Sequence, residues 1–476
     1  MAEAPRRTTR ARPDVRTRPP MPARGGRRKI LLISSSHRRP DGSVARVGRY
    51  WTSGLTLVHL EALTPPDFTC ELVDDFMDEP PLDTDADLVG ITAMGLQIGR
   101  AYRLADAYRS RGLPVVMGGE WVSLNPEQAL EHCDAIVKGE AEYAWPELLA
   151  DVQRGGFRKR VYQGEKLHDL RGLPVVDLDH LPLWRPELMR ERVYREYYFQ
   201  FPLYVTRGCP FRCDYCCITQ FHDGTYRKRP IAEVLRDLEA IRAKGSRNVL
   251  FMDDNPVADR RYAKELFRSM IPKSMRWCSQ CTIQIAEDEE LLDLAAKSGC
   301  FLLSIGFETI KQSNLDGINK PWAQAREYAR LIRLLRRRGI QVVALIMIGL
   351  DDDHPADFDR TLEFLIRQKV PLAKFHLPIP YPGTPFYDRM EKEGRILTRD
   401  WDRYHYGSAV IRPKRMTPEM AEQKFWATYR DFFSMRSILR RFFPPSPRNL
   451  KIQMHYLTAN LIFRKMQQAG KHPYLY

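Results

Sequence analysis

Three cysteines fall close together, Cys209, Cys213 and Cys216, in the run Tyr204-Val-Thr-Arg-Gly-Cys-Pro-Phe-Arg-Cys-Asp-Tyr-Cys216. Thiolates at C-x3-C-x2-C spacing on one short loop suit an iron–sulfur cluster. Three protein ligands on a four-iron cluster leave one iron open to an outside group. A tetrahedral zinc site needs a fourth ligand, usually from a second paired half-site, and no suitably spaced partner stands nearby. A chance gathering of structural cysteines is the remaining reading. The flanking Gly208-Cys209-Pro210 and the motifs downstream argue against it.

The other cysteines read as packing. Cys278-Ser-Gln-Cys281 has redox or metal spacing, but it falls on an expected strand. Side chains three apart on a strand point opposite ways, so the pair cannot hold one ion without a bulge. One of the two could line a barrel. Cys217 adjoins a cluster ligand and is poorly placed to join the same cluster. Cys70, Cys133 and Cys300 read as small core residues. Nine cysteines in 476 residues are no disulfide framework. They fit a reducing, cytoplasmic setting.

The elements that must present these groups are α/β. Residues 30–34, 71–73, 88–92, 114–119 and 134–139 read as strands; 52–63, 98–111 and a stretch from 142 read as helices. That alternation predicts a doubly wound parallel sheet. Ligands of such sheets sit beyond the carboxyl ends of the strands. Those ends carry Thr92, Met94 and Gly95, then Gly118 and Gly119, then Gly139 and Glu140. Glycine there lets the backbone approach a ligand, although each could equally just end its strand.

A linker rich in Pro, Leu, Asp and Arg spans 166–198, separating a domain over 29–165 from a second unit over 199–399. There the alternation restarts. Strands are expected at 203–206, 248–252, 276–280, 301–305, 341–347 and 372–376, and helices at 231–243 and 323–338. Six βα units suit a partial barrel, with active groups at the carboxyl ends of the strands. The cysteine loop follows the first strand, as that rule requires. Asp253, Asp254 and Asn255 end the second strand, and Glu308 ends the fourth. The first three could contact a ligand or cap the next helix. Tyr226-Arg-Lys-Arg-Pro230 reads as a solvated basic loop in which Arg227 or Arg229 could meet a carboxylate or phosphate.

The cysteine run resembles the signature loop of radical S-adenosylmethionine (SAM) enzymes. Val-Gly-Ile-Thr, Val-Met-Gly-Gly-Glu-Trp and Val-Lys-Gly-Glu-Ala-Glu, in that order over about 29–155, resemble the cobalamin-binding domain that precedes many such barrels. The chain is thus similar to the cobalamin-dependent, methyltransferase-like radical SAM enzymes. The resemblance implies a Rossmann-like cobalamin domain, a partial (β/α)6 barrel and a helical region over 400–476. It implies a [4Fe–4S] cluster on Cys209, Cys213 and Cys216, with SAM on the open iron. It places Glu308, Asp253, Asp254 and Asn255 near SAM, and Thr92, Gly95, Gly118, Gly119, Gly139 and Glu140 near cobalamin. The implied activity is methylation of an unactivated carbon of a small or lipid-like metabolite, through a 5′-deoxyadenosyl radical and methylcobalamin. Radical chemistry without methyl transfer, or a first domain without cobalamin, are the alternatives. An electron donor of flavodoxin or ferredoxin type is implied as well.

Two departures stand out. Gly118-Gly-Glu-Trp121 occupies a place where Gly-Gly-Pro-His is common. Ser35-Ser-His37-Arg-Arg-Pro40 lacks the Asp and Gly of the cobalt-ligating pattern D-x-H-x-x-G. A metal-bound histidine needs an orienting partner, so His37 reads as an ordinary loop residue.

The net charge of +15 is concentrated at the ends. Residues 1–29 hold ten Lys and Arg against two acids, and 436–476 hold eight and none. The body between is near neutral, which argues against a nucleic-acid channel. The first 28 residues read as a disordered basic tail. The C-terminal stretch, with Phe442, Phe443, Tyr456, Leu461, Ile462 and Phe463 among its charges, could cover the barrel or touch anionic lipid, with covering favoured. No apolar run is long enough to span a membrane.

Overall fold

The computed structural model describes residues 26–39, 41–48, 51–192, 194–443 and 450–468. Most of the basic N-terminal tail lies outside them. Two parallel sheets form the body. The first contains β1 (Arg28–Ser34), β2 (Phe68–Asp74), β3 (Leu88–Thr92), β4 (Val115–Gly118), β5 (Ala135–Lys138) and β6 (Val161–Gln163), in the order β2-β1-β3-β4-β5-β6. The short β6 was not expected from its sequence. Each strand alternates two apolar sets. Leu31, Ile33, Val89 and Met117 face one core, while Ile30, Leu32, Leu88 and Val116 pack under Trp145 in another. A sheet apolar on both faces must be covered on both, which yields the doubly wound layering.

The second sheet runs β14-β13-β12-β11-β10-β7, with a separate antiparallel pair β8–β9. Its strands are β7 (Phe201–Leu203), β10 (Asn248–Phe251), β11 (Arg276–Cys281), β12 (Cys300–Glu308), β13 (Gln341–Met347) and β14 (Leu372–His376); the pair is β8 (Thr206–Gly208) and β9 (Tyr226–Lys228). The single first strand expected over 203–206 is therefore two. The break has a cause: the Asp253 carboxylate accepts the N–H groups of Val205 and Thr206 and the Thr206 hydroxyl, pulling the chain off the sheet.

Side chains sort by face around this barrel. Phe251 and Trp277 stack outward with Phe267, Phe307 meets Tyr328, and Phe375 meets Tyr429 and Phe432. All of those are buried. The alternate, inward residues Met252, Gln280, Leu302, Ser304, Val343, Leu345, Lys374 and His376 keep solvent exposure. The barrel is packed outside and open inside, and β7 and β14 leave it unclosed along one side. β11 carries a bulge between Trp277 and Cys278. Cys278 Sγ nonetheless turns to the Val249 carbonyl, while Cys281 joins the core, so this pair is packing.

The C-terminal helices Pro418–Phe432, Met435–Phe442 and Leu450–Gln468 cover the barrel, as favoured above. Their key is Arg441, buried, which donates to the carbonyls of Val370, Pro371 and Phe432 and to Asn460 Oδ1. Among the described residues no helix is long and apolar enough to cross a membrane.

A buried ion network joins the two sheets. Glu140, at the end of β5, accepts from Arg227 at 2.6 and 2.8 Å, from Arg207 at 3.2 Å and from the Leu167 N–H. Glu142 meets His59 at 2.9 Å and Arg207 at 2.7 Å. The stretch 226–230 is therefore no solvated loop: Arg227 and Arg229 are both buried, and Arg229 pairs with Asp237. Burial pushes both glutamates up, but the His59 bond and the Arg207 charge hold Glu142 down at about 2. Above the ordinary carboxyl value of 4.5 its contribution to stability is whole, and it is lost as pH falls toward 2. Glu140→Ala leaves buried guanidinium charge uncompensated, and a loss of about 3–5 kcal/mol is expected in urea unfolding. A shift under 1 kcal/mol would show that the network does not hold the domains together.

Candidate active site

The cysteine loop is anchored on every side. Gly208 starts it at φ +83, where a Cβ would sit 2.2 Å from the Thr225 carbonyl, so only glycine fits. Its N–H donates to Asp254 Oδ2 at 3.1 Å. The Asp214 N–H donates to Ile318 O, and Asn319 Nδ2 donates to Arg212 O. Cys216 occupies the N-cap position of the helix Cys217–His222 with no side-chain cap bond. The three thiols are free, and among the described residues no three His, Cys, Asp or Glu side chains converge on a point that one ion could occupy. Three thiols on one loop suit a cluster of several irons with one iron left open. Burial pushes Cys213 up to about 11 and Cys216 to about 12, so loss of their protons is coupled to metal binding.

The acids divide into two roles. Asp253 faces the backbone of Val205 and Thr206 and fixes where the loop begins. Burial pushes it up to about 7. Asp254 holds Gly208 and also lines the interdomain cleft; burial, then the neighbouring Glu120, push it to about 7. Asn255 reaches Cys209 Sγ at 4.0 Å, and its buried Oδ1 has no hydrogen bond. None of the three caps the next helix; Asp259 does that, accepting from Tyr262 N. Glu308 sits at φ +60, an uncommon conformation for glutamate and one found at functional sites. Its carboxylate pairs with Lys320 at 2.8 Å, and Lys320 reaches Tyr215 OH in the cysteine loop at 3.4 Å. Burial pushes Glu308 up, but the Lys320 charge prevails and holds it below the usual carboxylate range. A Cβ at Gly306 would lie 2.3 Å from the Glu308 carboxylate, so glycine makes room for the turned-back side chain.

The carboxyl edge of the first sheet and the mouth of the barrel enclose one cleft. It holds about 1500 Å³ between its walls, counting the part open to solvent. Thr92, Gly118, Gly119, Gly139 and Glu140 line it, as expected from the strand ends. Gly95 does not: it lies under Tyr381, whose ring would be 2.3 Å from a Cβ there. His37 is also absent from the cleft and meets Phe76 edge-on. Sequence reasoning missed His59, Glu120, Ile218, Phe221 and His222 on the walls. Glu120 had a signal, since it replaces the proline of the common motif. The Cys217 thiol bonds its carboxyl, yet Oε1 is buried with no hydrogen bond. A wide glycine-edged cleft with an unsatisfied carboxyl oxygen of Glu120 on its wall fits a large cofactor bearing hydrogen-bonding groups.

Together, the cysteine loop on a barrel and a glycine-edged Rossmann-like sheet define a radical SAM enzyme with a cobalamin domain. The Radical SAM superfamily matches residues 203–365 and the B12 binding domain residues 58–149. The chain is 30% identical to the bacteriochlorophyllide d C-8(2)-methyltransferase of Chlorobaculum tepidum, over 80% of this chain and 86% of that one. It is 29% identical to the C-12(1)-methyltransferase of the same organism, over 77% and 80%. The fold is similar to that of TsrM from Kitasatospora setae, a radical SAM methyltransferase, with TM-score 0.63, 17% identity and coverage of 93% of this chain and 100% of that one. The cobalamin-dependent radical SAM enzyme OxsB matches with TM-score 0.62 at 15% identity, over 92% and 71%. The chain belongs to the cobalamin-dependent radical SAM methyltransferases, and its cofactors are a [4Fe–4S] cluster, SAM and cobalamin.

Alanine at Cys209, Cys213 or Cys216 should abolish cluster assembly, read as iron and sulfide content after anaerobic reconstitution. Cys217→Ala should retain both. Full iron content in any of the first three variants would remove that residue from the ligand set.

Proposed function

We propose that this methyltransferase acts on an unactivated carbon of an amphiphilic small molecule with a large apolar body, of tetrapyrrole or lipid type. The observation that carries this reading is the barrel's inner face, which is open and sets apolar residues (Met252, Leu302, Val343, Leu345) beside polar ones (Gln280, Ser304, Lys374, His376). The activities of the two bacteriochlorophyllide d methyltransferases, and of the hopanoid C-2 methylase at 25% identity over 72% of this chain, point the same way.

In this reading Cys209, Cys213 and Cys216 hold the cluster, and Glu308 contacts the ribose or amino group of SAM. Asn255 Oδ1 and Asp254 offer acceptors beside the loop, while Asp253 positions it. Thr92, Gly118, Gly119 and Gly139 flank cobalamin. Glu140 acts one step back, fixing the barrel against that domain. When bound, the cluster with SAM supplies a hydrogen-abstracting radical and cobalamin supplies the methyl group. The protein aligns three partners across one cleft and keeps water out; proximity of this kind supplies much of the acceleration.

The test is anaerobic turnover with methyl-labelled SAM, a reductant, and bacteriochlorophyllide d or a hopanoid as probe. Label transfer to either probe, with 5′-deoxyadenosine formed, is the expected result. Cleavage of SAM with no transfer to either would overturn the substrate class.

A small one-electron protein of flavodoxin or ferredoxin type is the inferred reductant. We also infer contact with an anionic bilayer through the helix Met435–Phe442. Its exposed side presents Met435, Leu439 and Phe443 at helical spacing beside Arg436, within a stretch that has no acid from 436 on. Anionic phosphatidylglycerol vesicles should sediment the protein, and Leu439→Glu with Phe443→Glu should abolish this. Equal binding to neutral phosphatidylcholine vesicles would contradict the charge match.

A further inference from the structure

The inward face of β14 presents Lys374 and His376. Phe375 between them turns outward onto Tyr429 and Phe432, which fixes its neighbours inward. Lys374 is half-buried. Its Nζ donates to Tyr406 Oη at 3.0 Å and lies 4.1 Å from the centre of that ring. Among the described residues Lys374 forms no ion pair. The inner carboxylate nearby, Glu308, is already matched by Lys320 at 2.8 Å. His376 is half-buried, and burial, only partly opposed by Glu308, holds its ring below the usual range, so it brings no competing charge at neutral pH.

An ammonium is thus left on an inner face whose apolar residues, Met252, Leu302, Val343 and Leu345, stand among the uncharged polar side chains Gln280 and Ser304. A half-buried charge whose partners are a neutral phenol and its ring is incompletely satisfied. A carboxylate would complete it with charge-assisted bonds, strengthened by the low dielectric of the chamber. The tyrosine that seats Lys374 is itself fixed to the strand. β14 is an edge strand of the unclosed barrel, and Tyr406 runs along that edge, its carbonyl accepting from Leu377 N at 2.8 Å.

We propose that Lys374, seated on Tyr406, binds a carboxylate of the substrate and so fixes which carbon of its apolar body faces the cleft. The inference rests on the reading of the barrel's inner face as the substrate chamber. It adds that the substrate is an acid, and it assigns a residue to recognise it. SAM carries a carboxylate too, so the experiment separates the two sources.

The protein loaded with cluster and cobalamin is titrated with 11-(dansylamino)undecanoate and with its methyl ester, followed by dansyl fluorescence. SAM binding is measured in parallel from its perturbation of the reduced cluster's EPR signal. The expected result is at least tenfold tighter binding of the acid than of the ester. Lys374→Met should erase that preference, Lys374→Arg should restore most of it, and SAM affinity should stay within about twofold in both. Equal binding of acid and ester by the unaltered protein would overturn the proposal. So would a tenfold loss of SAM affinity in Lys374→Met with the acid preference intact, which would assign the lysine to SAM. None of these readouts requires turnover, so a wrong choice of methyl acceptor and a wrong role for Lys374 give different failures.

Discussion

The buried ion network at Glu140 and Glu142 is the constraint on which the rest depends. Two parallel sheets, each with its reactive edge at the carboxyl ends of the strands, do chemistry together only if those edges face one another. Arg207 and Arg227 lie on the short β8–β9 pair that flanks the cysteine loop, and both carboxylates stand where the first sheet ends. One set of contacts therefore fixes the cluster loop and the cleft in a common frame. Desolvating such charges costs several kcal/mol each, and hydrogen bonds to every member offset it here. What the arrangement adds is geometric: bidentate guanidinium contacts tolerate little rotation.

A second layer of positioning lies under the loop. Asp253 spends its acceptors on Val205, Thr206 and the Thr206 hydroxyl, and Asp254 takes the Gly208 N–H. Adjacent carboxylates at a strand end suggest ligand contact by residue type alone. Here one of them is scaffolding and the other divides its role between scaffold and cleft wall. The uncommon backbone of Glu308, the space left by Gly306 and the buried Lys320 form a comparable unit on the opposite side. The two units stand at the ends of β10 and β12, with β11 between them, which is how a rigid barrel can place flexible carboxylates.

Much of this was legible in the sequence, for reasons that differ by residue. The cysteine loop was readable because its chemistry is local: three ligands on one loop need only their spacing. The long strands were readable because a sheet buried on both faces requires continuous apolar runs. The three-residue β6 and the break between Leu203 and Thr206 were not. The first is too short to carry a pattern, and the second is set by Asp253, 47 positions away from Thr206. Arg227 looked solvated because its partner Glu140 lies 87 positions earlier. Gly95 looked like a cleft residue because it follows a strand end, yet Tyr381 from beyond the barrel covers it. In each miss a distant contact decided what a neighbouring residue type could not.

The sorting of side chains around the barrel bears on how such an enzyme can change. Outward residues such as Trp277, Phe307 and Phe375 carry the packing, while inward positions on the same strands, such as Gln280, Ser304 and Lys374, keep solvent exposure. Stability and substrate choice are thereby written on alternate letters of one text. Inner-face substitutions can accumulate without opening a cavity under the helices, so the scaffold can drift between substrates while its fold stays under a separate selection.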